Sequence, residues 1–480
     1  MKLSSPALAA FALFALGNLA LGAAEPAEPI EIGSRLELFV DRHLVDSIDG
    51  AELRLHHPTK APRPRSPLPV RHMVTVIEDG GLYRAWFRGY DPDFEDASES
   101  GSGGELVQYA ESDDGHEWRF PVLGLHEIGG TKENNVVLAR MPYRLHNFMV
   151  FLDTREGVDP QQRYKAVSGY PGAGNKLGLE EAGRGLHGHV SPDGIRWTET
   201  GEIVSYRPQW RHAFDSPNVA FWSETEQLYV CYFRIWEGRS GPRSIARATS
   251  PDFETWSEPV AMDPNLPGEH LYTNMTAPYV RAPHIYLAFP TRFVPGRGRS
   301  ASDDPDKRNV TDVLFMSTRA GADRYDRSFT EAFLRPGLRA AAWDNRANYL
   351  AYGIPLLKAS EISFYHRSGD RYVLRTDGFV SVNAGPQEGE LVTKPVVFSG
   401  RRLVLNYSTS AAGGLRVELQ DAAGAPLPGF SLDDAEELYG DRIGETFVWK
   451  GATDLSALAG RPVRLRFRLR EADLYSFRFR

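Results

Sequence analysis

Short runs of alternating or continuous apolar residues recur along the chain. Residues 82–88 (Leu-Tyr-Arg-Ala-Trp-Phe-Arg), 228–233 (Leu-Tyr-Val-Cys-Tyr-Phe) and 285–289 (Ile-Tyr-Leu-Ala-Phe) are three of them. Tyr, Phe, Val and Trp suit the pleated, half-buried surface of a strand. Turn clusters such as Glu78-Asp79-Gly80-Gly81 and Arg367-Ser368-Gly369-Asp370 separate the runs, which predicts hairpins and meanders. No long helical periodicity precedes residue 430, so a parallel α/β fold is disfavoured and an all-β fold is predicted.

One motif repeats. Ser112-Asp113-Asp114-Gly115-His116-Glu117-Trp118 matches Ser191-Pro192-Asp193-Gly194-Ile195-Arg196-Trp197, with a looser copy at Ser250-Pro251-Asp252-Phe253-Glu254-Thr255-Trp256. A degraded fourth begins at Ser317. The copies start 79, 59 and 67 residues apart, and each follows a strand-like run. Repeated strand groups at such intervals predict propeller blades, with long loops to account for the period. The motif itself reads as a turn, with Trp covering the hairpin between blades. Five blades are predicted over 30–385, divided near 125, 205, 262 and 337. Beyond residue 385, the runs 403–407, 415–419 and 463–469 alternate cleanly, with Arg on one side and Leu or Phe on the other. That pattern predicts a separate β-sandwich over 386–480.

Composition adds three constraints. One cysteine excludes an intramolecular disulfide framework and a cysteine-cluster metal site. A net charge of −8 argues against a general nucleic-acid binder, which needs clustered Lys and Arg. The first 24 residues combine Lys2, an apolar stretch over 8–21 and Gly22-Ala23-Ala24, the pattern of a cleaved secretory signal peptide. The mature chain is then expected to be secreted or periplasmic, bacterial, and free of the membrane.

The chemistry that stands out is carboxylates beside aromatics and amides. Asp215, in 212–222, leads into an apolar strand where a channel mouth is expected. Glu133 and Asn135 open the second blade in the same manner, and Asp41 ends the strand 38–40. Asn274, Tyr279, Arg281 and His284 gather in 271–284, a set suited to sugar hydroxyls. Asp215, Asp41 and Glu133 are therefore the catalytic candidates. Asn135, Asn274, Tyr279, Arg281, His284 and Arg88 are the substrate-binding candidates. Each also fits a structural role, as turn former, strand end or interblade packing. Asp312, Glu361 and Asp377 are weaker carboxylate candidates. Asp91, Asp93, Glu95 and Asp96 offer oxygen ligands for a structural calcium, although the same acidic residues suit a solvated loop. No other cofactor or metal is expected. Glycosidic cleavage needs one carboxyl with a raised pKa to protonate the leaving oxygen, and one that stays ionised.

At residues 38–41, 83–90, 214–222, 281–285 and 377–382, the chain resembles secreted five-bladed propeller proteins of the glycoside hydrolase family 32 and 43 type. The resemblance implies a propeller, a trailing sandwich and action on carbohydrate. Such relatives carry an Asp in blade one, a supporting Asp in blade two and a Glu acid in blade three. This chain departs from them: the invertase-type Asn-Asp-Pro-Asn-Gly, Arg-Asp-Pro and Glu-Cys-Pro phrases are absent. The blade-three carboxylate is Asp215. Two readings follow: an exported glycoside hydrolase with a carboxylate pair at the channel mouth, or a carbohydrate-binding propeller without turnover.

Overall fold

The computed structural model describes residues 28–69, 73–94, 103–141, 144–169, 185–207, 210, 213–236, 241–297 and 308–480. Segment 1–24 lies outside the described residues, as do Glu95 and Asp96 of the acidic loop. The chain is all-β; among the described residues only short 3-10 turns, such as Pro160–Gln162 and Ala340–Trp343, lie between strands.

The middle of the chain lays down a succession of antiparallel sheets. The first comprises Val74–Asp79, Leu82–Tyr90, Glu105–Ser112 and Val136–Ala139. The second spans Met149–Leu152 to Thr198–Ser205, and the third Val219–Ser223 to Val260–Ala261. The fourth region divides at Pro290 into a three-stranded sheet containing Ala277–Tyr279 and a four-stranded sheet containing His270–Leu271. The fifth sheet is closed by an early segment: Thr59–Lys60 pairs with Arg371–Arg375 at its outer edge.

The innermost strands neighbour one another in a ring. Val150 N–H donates to Thr75 Oγ1 (3.2 Å), and Tyr352 exchanges backbone bonds with Val74 and Val76 (2.7 and 2.9 Å). The far ends of the five inner segments, at Glu78, Leu152, Trp222, Val280 and Ile354, line one cavity of about 420 Å³. Gly353 makes the last closure possible. Its φ is +100°, and an added Cβ would lie 2.1 Å from the Val76 carbonyl oxygen, so only glycine fits there.

The repeated turns join neighbouring sheets. In each full copy the Asp accepts two backbone N–H bonds: Asp114 from His116 and Glu117, Asp193 from Ile195 and Arg196, Asp252 from Glu254 and Thr255. Each turn then inserts into the preceding sheet. Trp86 Nε1 of the first sheet donates to the Gly194 carbonyl (2.6 Å), and Trp118 packs edge-on to Tyr365 of the fifth. Phe253 packs against Phe151 of the second sheet. Strands wedged between sheets are buried on both faces, as Leu228–Trp236 is.

The C-terminal strands form a ten-stranded sheet dominated by Leu403–Asp421 and Pro462–Phe479. Val463, Leu465, Phe467 and Leu469 are buried, while the alternating Arg464, Arg466 and Arg468 stay partly exposed. Here the structure differs from the expected domain limits. Ile30–Gly33, Glu37–Leu38, Val45–Asp49 and Ala51–Leu55 pair with C-terminal strands, so the first sheet of the ring starts at Val74. Val380–Ala384 also joins this sheet. The early strands are short and only partly apolar; Ile32, Phe39 and Val45 are buried against the C-terminal strands, while Leu38 and Leu55 pack into the core of the ring.

Candidate functional site

The residues immediately before the inner strands converge at one end of the ring. Several hold left-handed backbone conformations that non-glycine residues seldom adopt: Asn147 (φ 56°), Phe214 (65°), Met275 (49°) and Arg346 (55°). Such strain persists only where surrounding structure enforces it. Phe214 shows how. Its N–H donates to the Arg234 carbonyl (3.0 Å), its carbonyl accepts from Asn218 Nδ2 (2.8 Å), and its ring is buried against Phe233. The turn so fixed presents Asp215 at the mouth.

Asp215 is the outer member of a chain of charges. His146 Nε2 lies 3.3 Å from Asp215 Oδ1, and His146 Nδ1 lies 3.0 Å from both Glu105 oxygens. Arg234 Nη2 stands 3.1 Å from Asp215 Oδ2. Arg88 closes the inner side, with Nη1 3.3 Å from Glu105 and Nη2 donating to Asn147 Oδ1 (2.7 Å). The His146 and Glu105 side chains are each 2% exposed, whereas Asp215 is 31% exposed. Only Asp215 of the three can meet a ligand. Burial pushes the Asp215 carboxyl up, but Arg234 and His146 outweigh it and hold the group well below the usual carboxylate range. Burial pushes His146 down, yet Glu105 and Asp215 together outweigh burial and the opposing Arg88, and its pKa is raised. The two carboxylates thus favour the cationic form of the imidazole between them.

Beside Asp215 the charge becomes one-sided. The Tyr272 ring has three guanidiniums about its centre: Arg234 at 5.2 Å, Arg346 at 5.3 Å and Arg243 at 5.6 Å. Tyr349 packs 5.7 Å away, with Arg367 over its ring. Arg243 is also gripped by Trp236 and Phe293, each 4.4 Å from its guanidinium carbon. A cleft of about 650 Å³ opens off the other side of Arg88, lined by Tyr90, Gln108, Phe120 and Asn135. Among the described residues no group of three His, Cys, Asp or Glu side chains is arranged to hold a metal.

Of the residues expected from sequence, Asp215 and Arg88 meet here, and Asn135 lies in the adjoining cleft. Asn135 donates to the Tyr109 carbonyl (2.6 Å) and accepts from Gln108 (3.0 Å). The others are elsewhere. Asp41 is clamped by Arg319 Nε and Nη2 (2.8 and 3.0 Å) where the ring meets the C-terminal sheet, because its strand belongs to that sheet. His284 joins the same cluster through Glu37 (3.1 Å). Tyr279 Oη donates to Asp377 Oδ1 (2.6 Å), and Arg281 Nε lies 2.9 Å from the same oxygen. Tyr279 ends the inner strand and Arg281 and His284 follow it, which carries all three to the opposite end. Asn274 precedes its strand, but its amide is buried, donating to the Pro217 and Tyr232 carbonyls. Glu133 is exposed in the turn before the outer strand Val136–Ala139. Asp312 and Glu361 pair with Arg292 and Arg371.

Glu105, His146, Arg234, Arg243, Tyr272 and Arg346 were not singled out from the sequence. His146-Asn147 precedes the run 148–152 just as Asp215 precedes 219–222, so one positional rule identifies both. Glu105 is masked by an acidic, Ser/Gly-rich neighbourhood. Arg234 and Arg243 read as ordinary polar positions of strands.

No family model matches the chain, and no curated relative matches it. Solved structures resemble it distantly. A thermostable family-43 glycoside hydrolase aligns at 11% identity and a TM-score of 0.42, over 68% of this chain and 96% of its own. A second glycoside hydrolase gives 12% and 0.42, over 67% and 91%. An exo-β-1,3-galactanase from Phanerochaete chrysosporium, solved with β-1,3-galactotriose, gives 10% and 0.38, over 89% and 100%. At these values they assign no role to any residue of this chain.

Proposed function

We propose that the protein is an exported glycoside hydrolase that receives an oligo- or polysaccharide at the Asp215 mouth. The ring of sheets reads as a five-bladed β-propeller, with both sheets of the fourth region forming one blade, and the C-terminal strands as its trailing β-sandwich. Removal of segment 1–24 would release it outside the cytoplasm. The observation that carries the functional reading is Asp215 itself. It is the solvent-reaching end of the Glu105–His146–Asp215 chain, placed by a strained turn where the inner strands begin.

Its two cationic partners bear on its role. A carboxyl held ionised by Arg234 and His146 cannot donate the proton that a leaving sugar oxygen needs. It can stabilise the positive charge that develops at an anomeric carbon, or attack that carbon. His146 and Arg234 fix its two oxygens, so the carboxylate needs little reorganisation as charge develops. Trp236, which is only partly buried, offers a ring for a sugar face, and Asn135 and Gln108 offer amides in the adjoining cleft.

A second reading, carbohydrate binding without turnover, is favoured by one observation. The expected partner carboxylates, Asp41 and Glu133, do not stand beside Asp215, and Glu105 is sealed behind His146. Reducing-end release from a broad glycan panel tests both, with wild type and Asp215→Asn run side by side. Release by wild type alone supports the hydrolase with Asp215 in its mechanism. Equal release by both removes Asp215 from the mechanism. Binding without release by either favours the second reading.

A further inference from the structure

The charges around Tyr272 do not balance. Of the three guanidiniums about its ring, Arg234 is partnered by Asp215. Among the described residues, neither Arg243 nor Arg346 has a carboxylate within ion-pair distance. Asp344, two residues before Arg346, forms no ion pair with it. Arg243 is held instead by aromatic faces, Trp236 and Phe293 at 4.4 Å and Tyr272 at 5.6 Å. Stacking fixes the plane of a guanidinium and leaves its N–H edge to bond something else. Among the described residues, Arg243 Nη1 meets only His270 Nδ1 along that edge, at 3.4 Å, and its buried Nε has no partner. Burial lowers the His270 pKa and Arg243 lowers it further, so this imidazole is a neutral neighbour. Arg243 itself is pushed down to about 10, by burial and then by Arg234. Arg346 is exposed, and the left-handed conformation of its own backbone sets it beside Tyr272. Crowded cations of this kind repel one another. A folded chain whose net charge is −8 has no structural need to gather them at one mouth.

We propose that Arg243 and Arg346 form an anion subsite beside Asp215, and that the glycan taken by this mouth carries a negatively charged substituent, a uronate carboxylate or a sulfate ester. The inference rests on the carbohydrate reading above and narrows it. Both substituents present two or more acceptor oxygens to a forked guanidinium. Asp215 excludes the anion from its own side, since like charges would meet there, and directs it toward Tyr272. The sugar ring then lies between the ionised carboxylate and the cationic pair, which sets its orientation before any bond is broken.

The test uses the full mature chain and an array of oligosaccharides with matched backbones: neutral, uronate-bearing and sulfated. The expected result is binding to charged members at least about tenfold stronger than to their neutral counterparts, falling with added salt. Arg346→Gln should erase that preference by about tenfold, and Arg243→Gln should do the same. Arg346 is exposed, so its variant tests the idea even if the Arg243 variant fails to fold, which near-UV circular dichroism would reveal. Whether uronate or sulfate members bind identifies the anion. Equal binding of neutral and charged members, or an unchanged preference in Arg346→Gln, overturns the anion subsite and leaves the carbohydrate reading intact. Binding of no member by folded wild type overturns both.

Discussion

The two ends of the inner strands treat charge in opposite ways. Where the ring meets the C-terminal sheet, every buried charge is closed. Asp377 is fully buried and accepts from Tyr279, Asn406 and Ser476, with Arg281 alongside. Glu37, equally buried, is enclosed by Arg35, His284 and Arg319. At the Asp215 end, a carboxylate reaches solvent and two arginines stand without counter-ions among the described residues. Junction charges are satisfied by the protein, so they specify how two units dock. Mouth charges are satisfied only in part, and a ligand can complete them. Burial alone does not separate the two cases; the count of partners does.

Four substitutions would break or sharpen that contrast. The largest effect is expected from Asp215→Asn. Turnover should fall roughly 10³-fold, about 4 kcal/mol of transition-state stabilisation, with the melting temperature within about 3 °C of wild type. Glycan release and differential scanning calorimetry read both quantities. Asp377→Ala should do the reverse: a loss of about 3–4 kcal/mol by urea denaturation, because Arg281 loses its counter-charge, with glycan affinity unchanged in the fraction still folded.

Glu37 adds a pH signature to the junction. Burial pushes its carboxyl up, but His284, Arg319 and Arg35 together hold it at about 2, against 4.5 in the open chain. Its stabilising share is therefore complete above about pH 4.5 and disappears as the pH falls toward 2. The share is on the order of 3 kcal/mol. Denaturation across that range should steepen at low pH in wild type and flatten in Glu37→Gln. The smallest effect belongs to Glu133→Gln, an exposed turn position. Stability should change by less than about 0.5 kcal/mol, with no loss of turnover. A large loss of turnover would bring Glu133 back as a partner of Asp215.

Local chemistry was legible in the sequence; long-range placement was not. The Ser-Asp-Gly-Trp copies announced turns, and the structure gives each Asp two backbone N–H bonds. The alternation of 463–469 announced one buried face. Asp215 was visible because a carboxylate preceding an apolar inner strand lies at a mouth whatever the other strands do. Tyr279, Arg281 and His284 were misplaced because nearness in sequence says nothing about which end of a strand a turn occupies. Asp41 was misplaced for a similar reason: residues 30–55 owe their position to strands some 325 to 440 residues later. His146 and Glu105 are 41 residues apart in sequence, and only the fold makes them neighbours.

The placement of Thr59–Lys60 on the edge of the fifth sheet, and of 30–55 on the C-terminal sheet, has a kinetic consequence. Each described strand before residue 61 pairs with a strand beyond residue 370. A chain emerging from its N-terminus can assemble the middle sheets one by one, but the strands of 30–60 have no strand partner until residue 371 or beyond has appeared. Contacts so distant make loop closure slow, and they leave bare strand edges for the whole of synthesis. The same arrangement makes the folded state all-or-none at its ends. Cutting away the last hundred residues would also strip the strands of 30–55 of their sheet, so the earliest and latest described strands share one seam.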